Sequence, residues 1–259
     1  MSKYDPLWKY VKDNNQDEYK LSFEEVKKIV GFEFDHAFLS FKKELLDYGY
    51  EFKRLSLKEK CVWIVKKQLQ KEITNMKNNY LLVHGSFGSP FSNWIPWLRS
   101  ELEKDNLVVY TPDFPTGVGY QNYDNWSKLL KTYVEAGIVN ENTIIYAHSI
   151  APIFICNFLV ENKIKVKRLV FVCGFNNYLG INEEYDSVTE SMYFDNLEDI
   201  KKYCDEIICY YSDNDPYVKY DVEKEFADTI STEQHCIHDG GHLNAESNYN
   251  EFKELLNHK

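Results

Sequence analysis

The strongest constraint on this chain is a change of period near residue 79. From there on, short apolar runs recur at Tyr80-Leu81-Leu82-Val83, Leu107-Val108-Val109-Tyr110, Thr143-Ile144-Ile145-Tyr146, Arg168-Leu169-Val170-Phe171-Val172, Glu206-Ile207-Ile208-Cys209-Tyr210 and Gln234-His235-Cys236-Ile237. Helix-length amphipathic stretches separate them. Continuous apolar runs of this length are strands covered on both faces, and strands that alternate with helices lie parallel because each return crosses over the sheet. The expectation is a mostly parallel six-stranded α/β sheet over residues 79–259.

Residues 1–70 read differently. Asp5-Pro6-Leu7-Trp8 opens a helical series, Ser22-Phe23-Glu24-Glu25 has the form of a capping box, and Phe38 to Leu46 continues at helical spacing. Tyr50-Glu51-Phe52-Lys53-Arg54-Leu55 then alternates, and Cys61-Val62-Trp63-Ile64-Val65 follows a short polar break, which reads as a β-hairpin. Two or three helices followed by a hairpin make a small α+β domain of winged-helix-like order, and the polar residues 71–78 form the linker to the sheet domain.

Composition narrows the function classes. The chain has 259 residues and 44% hydrophobic content, enough for one substantial core and a small satellite. No apolar run approaches the roughly 20 residues that span a bilayer, and Met1-Ser2-Lys3-Tyr4-Asp5 lacks a secretory signal, so a cytoplasmic protein without membrane attachment is expected. Cys61, Cys156, Cys173, Cys204, Cys209 and Cys236 contain no C-x-x-C pair, which favours free thiols over disulfides or a metal centre. Residues 1–70 carry 14 Lys/Arg against 12 Asp/Glu, and the rest carries 16 against 29. The larger part repels polyanions, and Lys27-Lys28 and Lys42-Lys43 are modest pairs that fit a solvated helix face, so a nucleic-acid partner is not expected.

In a parallel sheet, ligands gather at the carboxyl ends of the strands. Ser149 stands just past the third run in Ala147-His148-Ser149-Ile150-Ala151, a small-x-Ser-x-small pattern that fits a nucleophile elbow. Taken alone the pattern equally describes a serine capping a strand-to-helix junction. After the fifth run, Ser212-Asp213-Asn214-Asp215-Pro216 offers two carboxylates. Asp215 is the better candidate, because Pro216-Tyr217-Val218 sets it at the loop tip while Asp213 can cap the turn. After the sixth, Asp239-Gly240-Gly241-His242 projects a histidine back over the sheet, whereas His235 and His238 are read as structural. A metal set of His235, His238 and His242 is not expected, since a strand cannot present the first two on one face.

The resulting order, Ser149 then Asp215 then His242, is that of α/β-hydrolases. Val83-His84-Gly85-Ser86-Phe87-Gly88 after the first run then supplies an oxyanion donor, the Ser86 N–H beside that of Ile150, with the Phe87 N–H as the neighbouring alternative. The same loop lacks the Gly-Lys-Ser/Thr ending of a phosphate loop.

These residues resemble the small serine hydrolases typified by retinoblastoma-binding protein nine and the bacterial YdeN proteins. The likeness spans about residues 79–259. It is carried by His84-Gly85, Asn93-Trp94-Ile95-Pro96-Trp97-Leu98, Pro112-Asp113-Phe114-Pro115, His148-Ser149, Tyr193-Phe194, Ser212-Asp213-Asn214-Asp215-Pro216 and Gly241-His242. The resemblance implies a compact α/β-hydrolase without a large lid or cofactor, with Ser149, Asp215 and His242 as its triad. It implies carboxylesterase or serine aminopeptidase activity on a small ester or amide. Ala147 and Ala151 depart from it, since the family generally has glycine at least at the first. Phe87, His148 and Trp94 are candidate substrate contacts, Trp94 at helical spacing from Trp97 also fitting a core face, and 176–191 is a segment that covers the site or merely fills a loop. Residues 1–70 resemble an uncharacterised bacterial domain with a similar Tyr-Asp-Pro-Leu start, which transfers no activity. A binding module on a hydrolase fold is the rival reading.

Overall fold

The structure, a computed structural model, describes residues 2–35, 37–66, 78–117 and 119–259. The chain falls into two compact units, Met1–Ile73 and Thr74–Lys259. Apart from Asn78, the stretch read as a linker lies outside the described residues.

The first unit runs α1 (Asp5–Asn14), β1 (Glu18–Ser22), α2 (Phe23–Val30), α3 (Phe38–Phe41), a 3-10 segment Lys42–Tyr48, β2 (Tyr50–Ser56) and β3 (Cys61–Lys66). The expected hairpin is β2 and β3, paired antiparallel, and the Ser22/Glu25 capping box forms at the start of α2. One element went unread: β1 pairs antiparallel with β3 and makes it the central strand of three. Its sequence Glu-Tyr-Lys-Leu-Ser alternates, with Tyr19 and Leu21 buried between exposed Glu18 and Lys20, so the period-2 signal is present but short. Tyr4, Trp8, Phe38, Val62 and Ile64 meet in this unit's core.

In the second unit the six apolar runs become β4 (Asn79–Val83), β5 (Val108–Tyr110), β6 (Thr143–His148), β7 (Arg168–Val172), β8 (Ile207–Ser212) and β9 (Glu233–Ile237). Every neighbouring pair is parallel, in the order β5-β4-β6-β7-β8-β9. The principal connecting helices are α4 (Ile95–Lys104), α5 (Tyr123–Glu135), α6 (Ala151–Glu161), α7 (Glu183–Met192) and α8 (Tyr220–Ile230). Side chains alternate across the sheet. Leu81, Val83, Ile145 and Ala147 enter one core with Phe154 and Phe158 of α6, while Tyr80, Leu82, Ile144 and Tyr146 enter the other with Leu98 and Leu102 of α4. Among the described residues no helix is long and apolar enough to cross a membrane.

This order positions the site. From β4 the chain moves outward to β5 and then returns to the other side of β4 as β6, so the direction of winding reverses between β4 and β6. Open parallel sheets hold their ligands at the carboxyl edge of such a reversal. Val83 is in register with Ala147, which sets the loop beginning at His84 beside the turn at Ser149.

Candidate active site

Ser149 sits at φ +62°, a left-handed conformation that a side chain bearing a Cβ adopts at a cost of roughly 1–3 kcal/mol. The sheet holds it there, because the Ser149 N–H donates to the Val172 carbonyl at 2.9 Å and thereby continues the β6–β7 ladder past the end of β6. Ala147 and Ala151 flank the turn with no solvent exposure, so the elbow closes with alanine at both positions. The tightest steric point is instead Gly85. A Cβ built there would stand 2.7 Å from the Ser149 Cβ and 3.4 Å from its Oγ.

Asp215 and His242 meet as the sequence order suggests. His242 Nδ1 lies 2.5 Å from Asp215 Oδ2, with 9% of the histidine side chain and none of the aspartate side chain exposed. Asp215 Oδ1 accepts the N–H groups of Tyr217 at 2.8 Å and Val218 at 3.0 Å. Burial pushes this carboxyl upward, but the His242 bond and charge and the two backbone donors outweigh it and hold it below the ordinary aspartate value. Asp213 goes elsewhere: Oδ2 pairs with His238 Nδ1 at 2.6 Å and Oδ1 accepts the Asp239 N–H at 2.9 Å, tying together the loops after β8 and β9. His235 stacks on Tyr210 with ring centroids 4.5 Å apart. The turn before His242 needs both of its glycines, since a Cβ at Gly240 would stand 2.8 Å from Leu243 and Gly241 has φ +58°.

Ser149 and His242 line one cavity of about 310 Å³. Among the described hydrogen bonds Ser149 Oγ makes none to His242, a looseness common in catalytic pairs before substrate binds. Ser86 and Phe87 form the facing wall. The Phe87 N–H donates to Gln121 Oε1 at 2.7 Å and is thereby occupied, whereas the Ser86 and Ile150 N–H groups take part in no hydrogen bond among the described residues. Ile150 also stands at the N-terminus of α6, where the helix dipole favours negative charge.

The three candidate substrate contacts separate. Phe87 lines the cavity and is 37% exposed, its ring edge-on to Tyr185 at 4.8 Å. His148 borders the cavity, but its Nε2 lies 3.0 Å from the His242 carbonyl, and burial, then the neighbouring His242, pushes its pKa down to about 3. It is therefore a neutral donor that fixes the backbone carrying His242. Trp94 has no exposed surface, packs edge-on to His148 and lies outside the cavity wall, so its assignment as a substrate contact is corrected: it belongs to the core. From 176–191, Leu179, Ile181, Tyr185 and Thr189 line the cavity.

His84 supports the loop that carries Ser86. Its Nε2 accepts the Phe114 N–H at 3.0 Å and its Nδ1 faces the Gly85 carbonyl at 2.9 Å, the pattern of a neutral imidazole, and burial lowers its pKa. Sequence reasoning missed two other residues. Gln121 orients Phe87 from the turn just before α5 and carried no pattern that marks it. Glu223 carried one: it occupies the buried register of α8 with Phe226, Ala227 and Ile230. One Glu223 oxygen, one Asp215 oxygen, Cys173 Sγ and a His242 ring nitrogen all lie within 4.8 Å of one another. The His242 Nδ1–Asp215 contact already uses part of that donor set.

Comparison with known proteins adds three findings. The serine hydrolase family matches residues 80–258. YdeN of Bacillus subtilis (strain 168) is 24% identical over 170 residues, covering 65% of this chain and 87% of its own, and the crystal structure of the ydeN product superposes with a TM-score of 0.62 at 21% identity over 70% and 96% of the two chains. Est1E of Butyrivibrio proteoclasticus, solved with ferulic acid bound, superposes with a TM-score of 0.53 at 15% identity over 71% and 88%.

Proposed function

From the premise that this chain belongs to the serine hydrolase family, we propose that it cleaves a small carboxylic ester through an acyl-enzyme on Ser149. The observation that carries the reading is the pairing of buried Asp215 with His242, which lines the same cavity as Ser149 at its left-handed turn. A serine hydroxyl is a weak nucleophile until a base removes its proton, and an imidazole does so only when its other nitrogen is held as a donor.

His242 Nε2 takes the Ser149 proton as Oγ attacks the carbonyl carbon, and Asp215 at Nδ1 stabilises the imidazolium. The carbonyl oxygen becomes an oxyanion facing the Ser86 and Ile150 N–H groups, one such donor typically contributing about 10²- to 10³-fold in rate. Collapse of the adduct expels the alcohol, which leaves with the proton from Nε2. Water then gives a proton to the same nitrogen and attacks the acyl-enzyme, and collapse of this adduct frees the acid while Nε2 returns the proton to Ser149 Oγ. Phe175, Leu179, Ile181 and Val218 offer apolar surface for an acyl group. No lysine or arginine lines the cavity among the described residues, and Glu246 does, which disfavours anionic substrates.

A fluorophosphonate probe tests this directly. The folded protein should be labelled at Ser149, and Ser149→Ala should lose both labelling and turnover of p-nitrophenyl esters. A folded wild-type protein that stays unlabelled at Ser149 refutes the reading. Turnover of aminoacyl amides with little ester hydrolysis would move it to the amidase class.

A further inference from the structure

We propose that Glu223 is a positioning residue for the reaction proposed above, on which this inference rests: as a neutral acid it donates its carboxyl O–H to Asp215 and braces the carboxylate that orients His242. Glu223 is 1% exposed, while Asp221, Glu225 and Asp228 on the same helix face solvent. A carboxylate in a core register is costly unless a cation or a proton neutralises it. Among the described residues no lysine or arginine pairs with it. The groups facing Glu223 are Cys173 from the end of β7, Asp215 after β8, Cys236 in β9 and His242 in the loop that follows. On its own helix Lys224 is spent on both oxygens of Asp228, each at 2.7 Å.

The hydrogen bonds locate the proton. Glu223 Oε2 accepts the Ser212 N–H at 3.3 Å, whereas Oε1 is buried with no partner among the described residues. An acceptor left bare in the interior costs about 1–3 kcal/mol, and a proton on it turns that oxygen into a donor. Two acceptors stand within 4.8 Å of a Glu223 oxygen, the Cys173 sulfur and an Asp215 carboxylate oxygen, and the carboxylate is much the stronger. Burial, then the charge of Asp215, pushes the Glu223 carboxyl up to about 9, which agrees with a proton retained at neutral pH. A carboxylic acid kept neutral by its surroundings can thus serve a site as a hydrogen-bond donor.

The test uses the full-length protein and follows kcat, KM and the rate of fluorophosphonate labelling from about pH 6 to about pH 10, where an essential ionisation appears as a limb of the profile. Wild type should lose activity through a limb near pH 9, as a second charge forms beside Asp215. Glu223→Gln, which keeps a donor and cannot ionise, should lack that limb and keep most of the neutral-pH rate. Glu223→Leu should lower kcat by about 10- to 100-fold, the range seen when outer-shell partners of metal-ligating side chains are removed, with KM nearly unchanged. Infrared difference spectra should contain a protonated-carboxyl C=O band that Glu223→Gln removes. A wild type labelled at Ser149 but lacking the limb, or a Gln variant that retains it, overturns this inference alone. The same holds if a folded Leu variant has wild-type kcat or the band is absent. Should Glu223→Leu not fold, the Gln profile and the spectrum decide. Failure of wild type to label at Ser149 overturns the underlying reading instead.

Discussion

Gly85→Ala should disable the enzyme while leaving it folded. The new Cβ would lie 2.7 Å from the Ser149 Cβ and 3.1 Å from the His148 carbonyl oxygen. Carbon atoms in ordinary contact stand about 3.5–4.0 Å apart, so about 1 Å of separation must be found. The elbow resists, since the Ser149 N–H is held on Val172 and the His148 ring on the His242 carbonyl. The loop that begins at His84 therefore yields, and it carries the Ser86 N–H away from the position proposed for the oxyanion. A displacement of about 1 Å in a reacting geometry costs on the order of 10²-fold, and it should fall on kcat because the apolar cavity wall at Leu179 and Ile181 is untouched. Overpacking of this kind lowers stability by about 1–3 kcal/mol, which a urea titration would register as a shifted midpoint with an unchanged slope. Steady-state hydrolysis of a p-nitrophenyl ester, with labelling of Ser149 in parallel, measures the loss. A folded Gly85→Ala protein within about threefold of wild type in kcat would show that the loop relaxes without moving the donor, and would refute the reasoning built on about 1 Å of displacement.

Two further changes probe the carboxyl groups of the site. Asp215→Asn keeps the shape of the pair but presents an amide to His242 Nδ1, favouring the wrong tautomer. In the serine-protease triad the corresponding change lowers kcat by about 10⁴-fold, and a loss of that order with KM little altered is expected in ester hydrolysis here. Glu223→Gln should also change the pH dependence of stability. The native acid retains its proton up to about pH 9 against an ordinary value of 4.5, so between those limits the unfolded chain has released a proton that the native state holds. Wild-type stability accordingly falls by up to about 1.4 kcal/mol per pH unit as pH rises through that window, a penalty of about 3 kcal/mol by neutral pH. The glutamine side chain of the variant cannot ionise in either state. Urea unfolding near pH 5 and pH 8 should therefore show the variant gaining about 4 kcal/mol on wild type between the two, and a constant difference would contradict it.

The central strands β4, β6, β7 and β8 were legible because burial on both faces leaves short continuous apolar runs, whereas the edge strands β5 and β9 are less buried and their runs are correspondingly weaker. Their parallel sense followed from the helix-length spacers. By contrast β1 hid in five residues, two of them charged and exposed, whose pairing depends on a partner some forty residues later in the chain. Trp94 shows a different limit: its spacing from Trp97 fits a helix face, but periodicity cannot say whether that face meets a cavity or a core. Gln121 was illegible for a plainer reason, since its role is one hydrogen bond to a backbone group that only the fold brings near.

The alanines at 147 and 151 show how a local departure is absorbed by the fold. A glycine at the first flank is useful where strand and helix must approach closely behind the serine, and judged by sequence alone its absence weakens the motif. In the folded chain Ala147 lies within β6 between Val83 and Phe171, and Ala151 opens α6. Neither has solvent exposure, and the turn between them still reaches φ +62° at Ser149. Close approach is demanded instead on the other side of the serine, where Gly85 faces it, and there the sequence does provide glycine. Glycine at 151 would weaken the helix by about 1 kcal/mol without relieving that contact. The steric requirement of the elbow is thus distributed over the ends of two strands, β4 and β6, and a pattern confined to the residues around Ser149 sees only half of it.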